Sequence, residues 1–177
     1  MSYEVYFQKA RLKSYLSLQV IVAISLFGML LFEDAIATLD LFLHATPFVT
    51  FAIFYVLVLF YPVALPLLSV FIITVLHDIF ATSLYNSQTF AILVSLLIIK
   101  RLINFPEQKE FLEIWQGFVV AIMIMVSKQV VTFMIWHWSL MNLQGLLFQI
   151  GITILLYPFI HVVIMRLAQI FVESAER

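Results

Sequence analysis

Two ionisable side chains, Asp78 and Lys128, lie within long apolar stretches of the sequence. A charge inside a membrane-spanning helix costs roughly 2.5–3.5 kcal/mol on insertion scales, so each residue needs a partner, water or a role. A carboxylate and an amine at one depth can pair, carry a proton or contact a polar ligand. We therefore interpret Asp78 and Lys128 as structural or functional intramembrane charges, and the hypothesis to test is that they pair.

Both residues also have simpler interpretations. Asp78 is followed by the semi-polar residues 81–83, and it would be hydrated if it lay in the outer membrane interface. Lys128 would reach the headgroups by snorkelling, but the external end of its predicted span is ~15 Å away, beyond the reach of a lysine. A buried or water-exposed Lys128 is therefore favoured, whereas for Asp78 both interpretations stay open.

Sequence motifs for catalysis or metal binding are missing. There is no GxSxG, no HExxH and no Gly-rich phosphate loop, and the absence of cysteine excludes disulfides and thiolate metal sites. No two of the four histidines have helical ligand spacing with a carboxylate nearby. His77, next to Asp78, is interpreted as packed or interfacial, with a proton relay as the minority option. We expect no catalytic residue, no metal and no cofactor.

The composition is typical of an integral membrane protein. The 177 residues are 64% hydrophobic and only 11% charged, and the mean hydropathy is +1.12, which no soluble domain of this length resembles. Nine basic residues at a net charge of -1 are too few to form a nucleic-acid-binding stripe. The length leaves room for a single membrane domain over residues 1–177.

Six apolar segments are predicted to span the membrane as helices, because about 20 apolar residues cross the hydrocarbon core. They cover approximately 15–32, 47–61, 67–84, 90–102, 115–138 and 145–165. Pro47 opens the second span, and a tight turn from Pro62 to Pro66 separates it from the third; a re-entrant hairpin is the alternative for these two. The first apolar run is longer than a signal-peptide core and lacks a clear cleavage site, so a retained span is predicted.

The basic residues indicate the orientation of these spans. Eight of the nine fall in three short segments, within residues 9–13, 100–109 and 166–177. Basic residues flank transmembrane helices on the cytoplasmic side, and six spans with both termini cytoplasmic place every basic segment inside. In that frame Asp78 lies ~18 Å and Lys128 ~20 Å from the internal ends of their helices, so their depths match.

Small and polar residues indicate where the spans pack, since transmembrane helices approach closely at small side chains and bond through polar ones. The candidate packing positions are Gly117, Ser127, Gln129, Gly145 and Gly151. A single sequence does not fix which of them face another helix of the same chain.

The order of several features points to a family. Pro47 opens a span that contains Phe54-Tyr55, and a short turn with Pro62 follows it. The third span ends in Leu76-His77-Asp78-Ile79-Phe80 before a small-residue turn, and the last contains Leu156-Tyr157-Pro158-Phe159 and closes on a basic residue. This order resembles the rod shape-determining protein MreD family. Tyr55, Asp78 and Pro158 are among the residues that carry the resemblance.

The resemblance implies a non-enzymatic, multi-pass subunit of the bacterial inner (cytoplasmic) membrane that serves cell elongation. Such a subunit binds MreC and, through the complex, connects MreB filaments to the peptidoglycan synthase RodA and its transpeptidase partner. Its contacts are then with membrane lipids and membrane proteins, and not with nucleic acid. The chain departs from the family in lacking glycines before Asp78 and in the following turn, and in carrying Lys128.

Two other functions compete with this one. The substrate-binding subunits of energy-coupling-factor vitamin transporters also have six spans and few charges, and their architecture is similar to that of the MreD family. In such a subunit Asp78, Lys128, Trp136 and Asn142 would line an external vitamin pocket. An intramembrane enzyme ranks last, because two deep charges offer little material for catalysis.

Overall fold

A computed structural model describes the backbone of residues 3–37, 47–62, 64–80, 89–103, 106, 109–137 and 143–175, and the side chains of 19–36, 47–62, 64–80, 89–103, 106, 109–128, 130–131 and 145–167. Six helices and no strands make up these residues, which confirms the all-helical prediction for them. The helices are α1 (Tyr3–Ala37), α2 (Val49–Phe60), α3 (Leu67–Phe80), α4 (Thr89–Leu102), α5 (Phe111–His137) and α6 (Leu143–Ala175).

The helices fall into two length classes. Three contain stretches long and apolar enough to cross a membrane: Gln19–Ile36 in α1, Phe111–Lys128 in α5 and Gly145–Leu167 in α6. The other three have 12 to 14 residues and extend only about 18–21 Å at 1.5 Å per residue, against a hydrocarbon core of about 30 Å. Three helices long and apolar enough to cross a membrane indicate a membrane protein.

The short helix α2 lies at the centre of the bundle. Nine of its 12 residues are buried, among them Phe54, Tyr55 and Val56 at 0% exposure. It packs most extensively against α6, and it also contacts α1 and α4. The other main packed pairs are α4 with α5 and α1 with α3. A helix with contacts on nearly every side needs no polar face, which explains why α2 carries no charged residue.

The outer surface of the bundle is apolar. Large hydrophobic side chains stand exposed along α1, α3 and α6, with Leu68 at 69%, Leu155 at 77% and Phe159 at 69% exposure. Contiguous apolar surface of this kind is unfavourable in water and favourable against lipid chains or other membrane proteins. The exposed faces therefore agree with the membrane-crossing stretches.

Two connections compare directly with the sequence predictions. The predicted turn after Pro62 is present: α2 ends at Phe60, the N–H groups of Ala64 and Leu65 donate to the Tyr61 carbonyl, and α3 follows Pro66. The first helix differs, because α1 continues past the predicted end of the first span at residue 32 to Ala37. The small-residue turn expected at 81–85 lies outside the described residues.

Candidate functional site

Four helix ends meet at one end of the bundle, where α1 and α3 finish and α2 and α4 begin. α1 runs parallel to α3 and antiparallel to α2, and α3 runs antiparallel to α4, so these four ends come to the same level. Six polar residues form the group that we call the carboxylate–histidine cluster: Glu33, Asp34, Thr50, His77, Asp78 and Thr89. Each of its contacts joins two different helices, except the one between the neighbours His77 and Asp78.

Asp78 binds the first residue of α4. Its Oδ2 accepts hydrogen bonds from the Thr89 hydroxyl at 2.6 Å and from the Thr89 backbone N–H at 3.2 Å. The first N–H groups of a helix have no partner within the helix, and the positive end of its dipole favours a carboxylate. The Asp78 side chain is 13% exposed, so this contact is made largely away from water. Asp78 thus caps α4 from the end of α3.

Glu33 has the same role toward α2. Its Oε1 accepts a hydrogen bond from the Thr50 backbone N–H at 2.6 Å, near the start of α2. The Phe48 N–H, one residue before the helix, donates to the Thr153 hydroxyl of α6 at 3.0 Å. An unsatisfied backbone N–H costs several kcal/mol in lipid. Side chains from α1 and α6 therefore allow α2 to begin inside the bundle.

His77 connects the two carboxylate contacts. It is 5% exposed, its Nε2 donates to Asp34 Oδ2 at 2.7 Å, and its Nδ1 lies 3.8 Å from Asp78 Oδ1. The contacts of its two ring nitrogens with two carboxyl groups hold the imidazole in one orientation. The histidine joins α1 to α3 directly, and it steadies the carboxylate that caps α4.

The geometry of the cluster suits the joining of helices. Within the residues whose placement is described, no group of three His, Asp or Glu side chains is arranged to hold a metal ion. The described acceptors Glu33, Asp34 and Asp78 each bind a donor from another helix. The arrangement satisfies helix ends with the oxygen atoms of carboxyl side chains from neighbouring helices.

A second group of side chains lies toward the other end of the bundle, where α2, α5 and α6 meet. We call it the aromatic cluster: Tyr55, Phe111, Phe118, Tyr157 and His161. Phe118 and Tyr157 stack with ring centroids 4.0 Å apart, and Tyr55 meets Phe118 edge-on at 5.2 Å and Tyr157 at 5.7 Å. Aromatic pairs in these geometries contribute beyond the burial of their area.

Tyr55 reaches across to the backbone of α5. Its hydroxyl donates to the Ile114 carbonyl at 2.8 Å, and the ring is fully buried. The approach depends on Gly117, because a Cβ at that position would lie 2.7 Å from the Tyr55 hydroxyl and 2.6 Å from Ile103 Cδ1. Gly117 therefore provides the close helix approach that its small size predicts.

Pro158 interrupts the hydrogen bonding of α6 and creates a site for α5. A proline inside a helix has no N–H to donate to the carbonyl four residues earlier, which here belongs to Ile154. The Trp115 indole of α5 donates to that same carbonyl at 3.3 Å. In lipid a freed carbonyl must find another donor, and here the neighbouring helix supplies it.

The remaining predicted residues have varied surroundings. Pro47 lies just before α2, and its carbonyl accepts the Val49 N–H at 2.9 Å. Gly145 is near the start of α6. A Cβ at Gly151 would meet no atom within 4 Å, and the exposed Ser127 donates to the Ile124 carbonyl of its own helix, so neither makes a close helix–helix approach. The Gln129 side chain, the side chain of Trp136 and residue Asn142 lie outside the described residues.

Lys128 lies partly buried in α5. Across the described residues, α3 packs against α1 and α4, and α5 packs against α4 and α6; direct contact between α3 and α5 is marginal at most. The pairing of Asp78 with Lys128 stays a prediction. The described contacts add that Asp78 has a structural role at the start of α4.

Sequence reasoning missed several residues of the carboxylate–histidine cluster. Because the first span is predicted to end at residue 32, Glu33 and Asp34 fall outside it in that prediction. A signal for their position exists: residues 33–37 contain no proline or glycine, so nothing in the sequence ends the helix at residue 32. His77 carried the weaker signal, since only the fold shows that its ring lies opposite Asp34.

No family model, curated protein or solved structure matches this chain.

Proposed function

We propose that the chain is a non-enzymatic MreD-like subunit of the cell-elongation complex in the bacterial inner membrane. In this role it scaffolds MreC and the peptidoglycan synthase RodA with its transpeptidase partner, and through them the MreB cytoskeleton. The proposal includes six spans with both termini in the cytoplasm, the orientation that the basic segments favour.

One observation carries the proposal: the residues that bear the resemblance occupy helix–helix contacts. Tyr55 joins α2 to α5, Asp78 joins α3 to α4, and Pro158 leaves a carbonyl of α6 to the Trp115 indole of α5. A scaffold needs residues that fix the mutual positions of its helices, so that it presents constant outer faces to partners. A transporter subunit needs such residues to line a cavity.

The outer surface supports a role among membrane proteins. The apolar faces of α1, α3 and α6 are large, and the described connections are short. Helices associate in membranes through packing and polar contacts between their faces. A bundle of this kind acts on its partners through those faces and short loops.

Copurification tests the function. The chain is tagged in its native host, and MreC recovered from detergent extracts is quantified beside cell shape after depletion. We expect MreC to copurify and depleted cells to lose their rod shape. An Asp78→Ala variant, compared at equal membrane abundance with an Asp78→Asn variant that keeps an acceptor for Thr89, shows whether the fixed helix ends matter for the complex. Normal rods after depletion, with no MreC recovered, would refute the proposal.

The vitamin-transporter alternative has its own readout. A substrate-binding subunit would show thermal stabilisation of the purified protein by a vitamin at low micromolar concentration, whereas a scaffold would not respond. A neighbouring gene for a transport ATPase would favour the transporter, and a neighbouring gene for MreB or MreC would favour the scaffold.

The orientation can be tested cleanly because the chain has no cysteine. Single cysteines replacing Lys9, Asn86 and Lys109 are labelled with a membrane-impermeant maleimide in intact cells and in opened vesicles. We expect Asn86→Cys to react from outside, and Lys9→Cys and Lys109→Cys to react only once the cytoplasmic side is open. If the positions 9 and 109 react from opposite sides, the six-span orientation is wrong.

A further inference from the structure

An open pocket of about 390 Å³ lies beside the aromatic cluster, at the end of the bundle opposite the carboxylate–histidine cluster. Its volume is within the range of small-molecule sites in proteins. The walls are formed by the end of α2, the α4–α5 connection, the start of α5 and the second half of α6. The residues that matter for its chemistry are Phe60, Tyr61, Lys109, Phe111, His161 and Met165.

The pocket lies at the boundary between hydrocarbon and water. The membrane-crossing stretch of α5 begins at Phe111, while that of α6 ends at Leu167. Lys109 therefore stands just outside the hydrocarbon, and Phe60, Phe111 and Met165 extend the lining into it. A cavity that is polar at its mouth and apolar in its depth fits an amphiphile whose head remains at the interface.

His161 is held rigidly in the wall of the pocket. Its ring lies between Phe60, at 5.5 Å, and Phe111, at 5.4 Å, and Nδ1 is 3.3 Å from the Tyr157 hydroxyl. Among the described residues, Tyr157 is the hydrogen-bond partner of this ring, and the contact is made through Nδ1. The Nε2 atom is thus available to a ligand. Because the ring is already held in place, little conformational entropy is lost when a ligand binds to it.

Lys109 gives the lining its positive charge. His161 is its other basic residue and can donate a hydrogen bond, and no carboxylate is among the lining side chains described. Lys109 pairs with Glu113 at 2.9 Å, but the two side chains are 41% and 52% exposed. An exposed pair of this kind is weak, so Lys109 can turn toward an anion in the pocket at little cost. A phosphate offers both basic groups a strong acceptor.

We propose that this pocket binds the phosphate-bearing headgroup of an anionic phospholipid. Lys109 contacts the phosphate at the mouth, His161 donates from the wall, and an acyl chain lies along the aromatic and Met165 surface. Basic pockets between transmembrane helices on the cytoplasmic side recognise anionic lipid headgroups. The proposal does not depend on the elongation function, because it needs only that α5 and α6 cross the membrane.

The test measures thermal stability of the full chain in neutral detergent, with phosphatidylglycerol, phosphatidylcholine or inorganic phosphate added at matched concentrations. Native mass spectrometry counts retained lipid in parallel. We expect phosphatidylglycerol to raise the Tm by several degrees and the other two to leave it unchanged. Lys109→Gln should weaken the apparent affinity for phosphatidylglycerol about tenfold. Lys100→Gln is the matched control, since Lys100 is an exposed cation at the same end that does not line the pocket.

Several outcomes would overturn the proposal. Equal stabilisation by phosphatidylcholine would mean that the headgroup charge is not recognised. An equal loss of affinity in Lys100→Gln and Lys109→Gln would indicate general attraction to a charged surface. Stabilisation by inorganic phosphate that depends on Lys109 would assign the site to a soluble phosphorylated ligand instead of a lipid. If Lys109→Gln fails to fold, His161→Phe replaces it in the test. This variant keeps the aromatic wall and removes the donor, and we expect the same loss of affinity for phosphatidylglycerol.

Discussion

The two ends of the bundle are held together by different chemistry. Where α1 and α3 finish, carboxylates from Glu33, Asp34 and Asp78 bind donors of neighbouring helices at 2.6 to 3.2 Å. Toward the other end, α2, α5 and α6 meet through stacked rings and through two hydrogen bonds to backbone carbonyls, from Tyr55 and from Trp115. One end offers carboxyl acceptors, and the other offers hydroxyl and indole donors.

The difference follows from which backbone groups each end leaves unsatisfied. The first end contains the starts of the short helices α2 and α4, whose free N–H groups need acceptors, and a carboxylate is the strongest one available. In the aromatic cluster the unsatisfied group is the Ile154 carbonyl opposite Pro158, which needs a donor. The tryptophan indole and tyrosine hydroxyl are donors that carry no charge into the membrane. The polarity of each unsatisfied group selects the residue type beside it.

The largest effect should come from the carboxylate of Asp78. Asp78→Ala leaves the Thr89 N–H and hydroxyl without their acceptor, which should destabilise the fold by about 3 kcal/mol, whereas Asp78→Asn keeps an acceptor and should cost about 1 kcal/mol. Thermal unfolding in detergent, followed by light scattering, measures both. Equal losses in the two variants would show that the negative charge matters, and not the capping contact.

A charge exchange separates capping from the predicted pair. If Asp78 and Lys128 pair, the double variant Asp78→Lys, Lys128→Asp should regain part of the folded protein lost by either single change. If Asp78 acts as a cap alone, the double variant should be at least as unstable as the worse single variant. The yield of monodisperse protein on size-exclusion chromatography distinguishes the two.

At the aromatic end, the close approach at Gly117 should give the next largest effect. Gly117→Ala places a methyl group 2.6–2.7 Å from Ile103 and the Tyr55 hydroxyl, so the structure must shift, at about 2 kcal/mol. Gly151→Ala is the matched control on α6, because it meets nothing within 4 Å and gains helix propensity. Thermal unfolding should show a clear loss for the first variant and none for the second. The same loss in both would mean that Gly151 contacts a neighbouring molecule.

The sequence predicts well what depends on local pattern. The prolines at 47, 62 and 66 indicate the limits of α2 and the start of α3, and apolar runs indicate all six helices. Both signals are local, because a proline or an apolar run affects only the backbone near it in the sequence. The roles of Asp78 and Pro158 depend on which helices are neighbours. Nothing near Asp78 in the sequence indicates Thr89 of α4 as its partner, and nothing near Pro158 indicates Trp115, which lies 43 residues earlier.

The hydrogen bond between Trp115 and Ile154 should have a smaller effect, and its dependence on Pro158 is measurable. Trp115→Phe removes the donor and should cost about 1 kcal/mol. Pro158→Ala restores a backbone N–H at position 158 that can donate to the Ile154 carbonyl. In that background Trp115→Phe should cost about half as much. A double-mutant cycle by thermal unfolding gives the coupling, and strict additivity would show that the indole and the proline act independently.

The smallest effect is expected at the pair of Asp34 and His77. The Asp34 side chain is 50% exposed, so solvent screens the pair, and Asp34→Asn still accepts a hydrogen bond from Nε2; the loss should be about 0.5 kcal/mol. Glu113→Gln is the comparison at the opposite end, where both partners are exposed. Because the His77 side chain is only 6% exposed, Asp34→Asn should cost more than Glu113→Gln and depend less on salt. Thermal unfolding at low and high ionic strength tests both expectations. Identical losses of stability and identical salt dependence would show that the Asp34–His77 pair behaves as an ordinary surface pair. The carboxylate–histidine cluster would then be stabilised only by the capping contacts of Glu33 and Asp78.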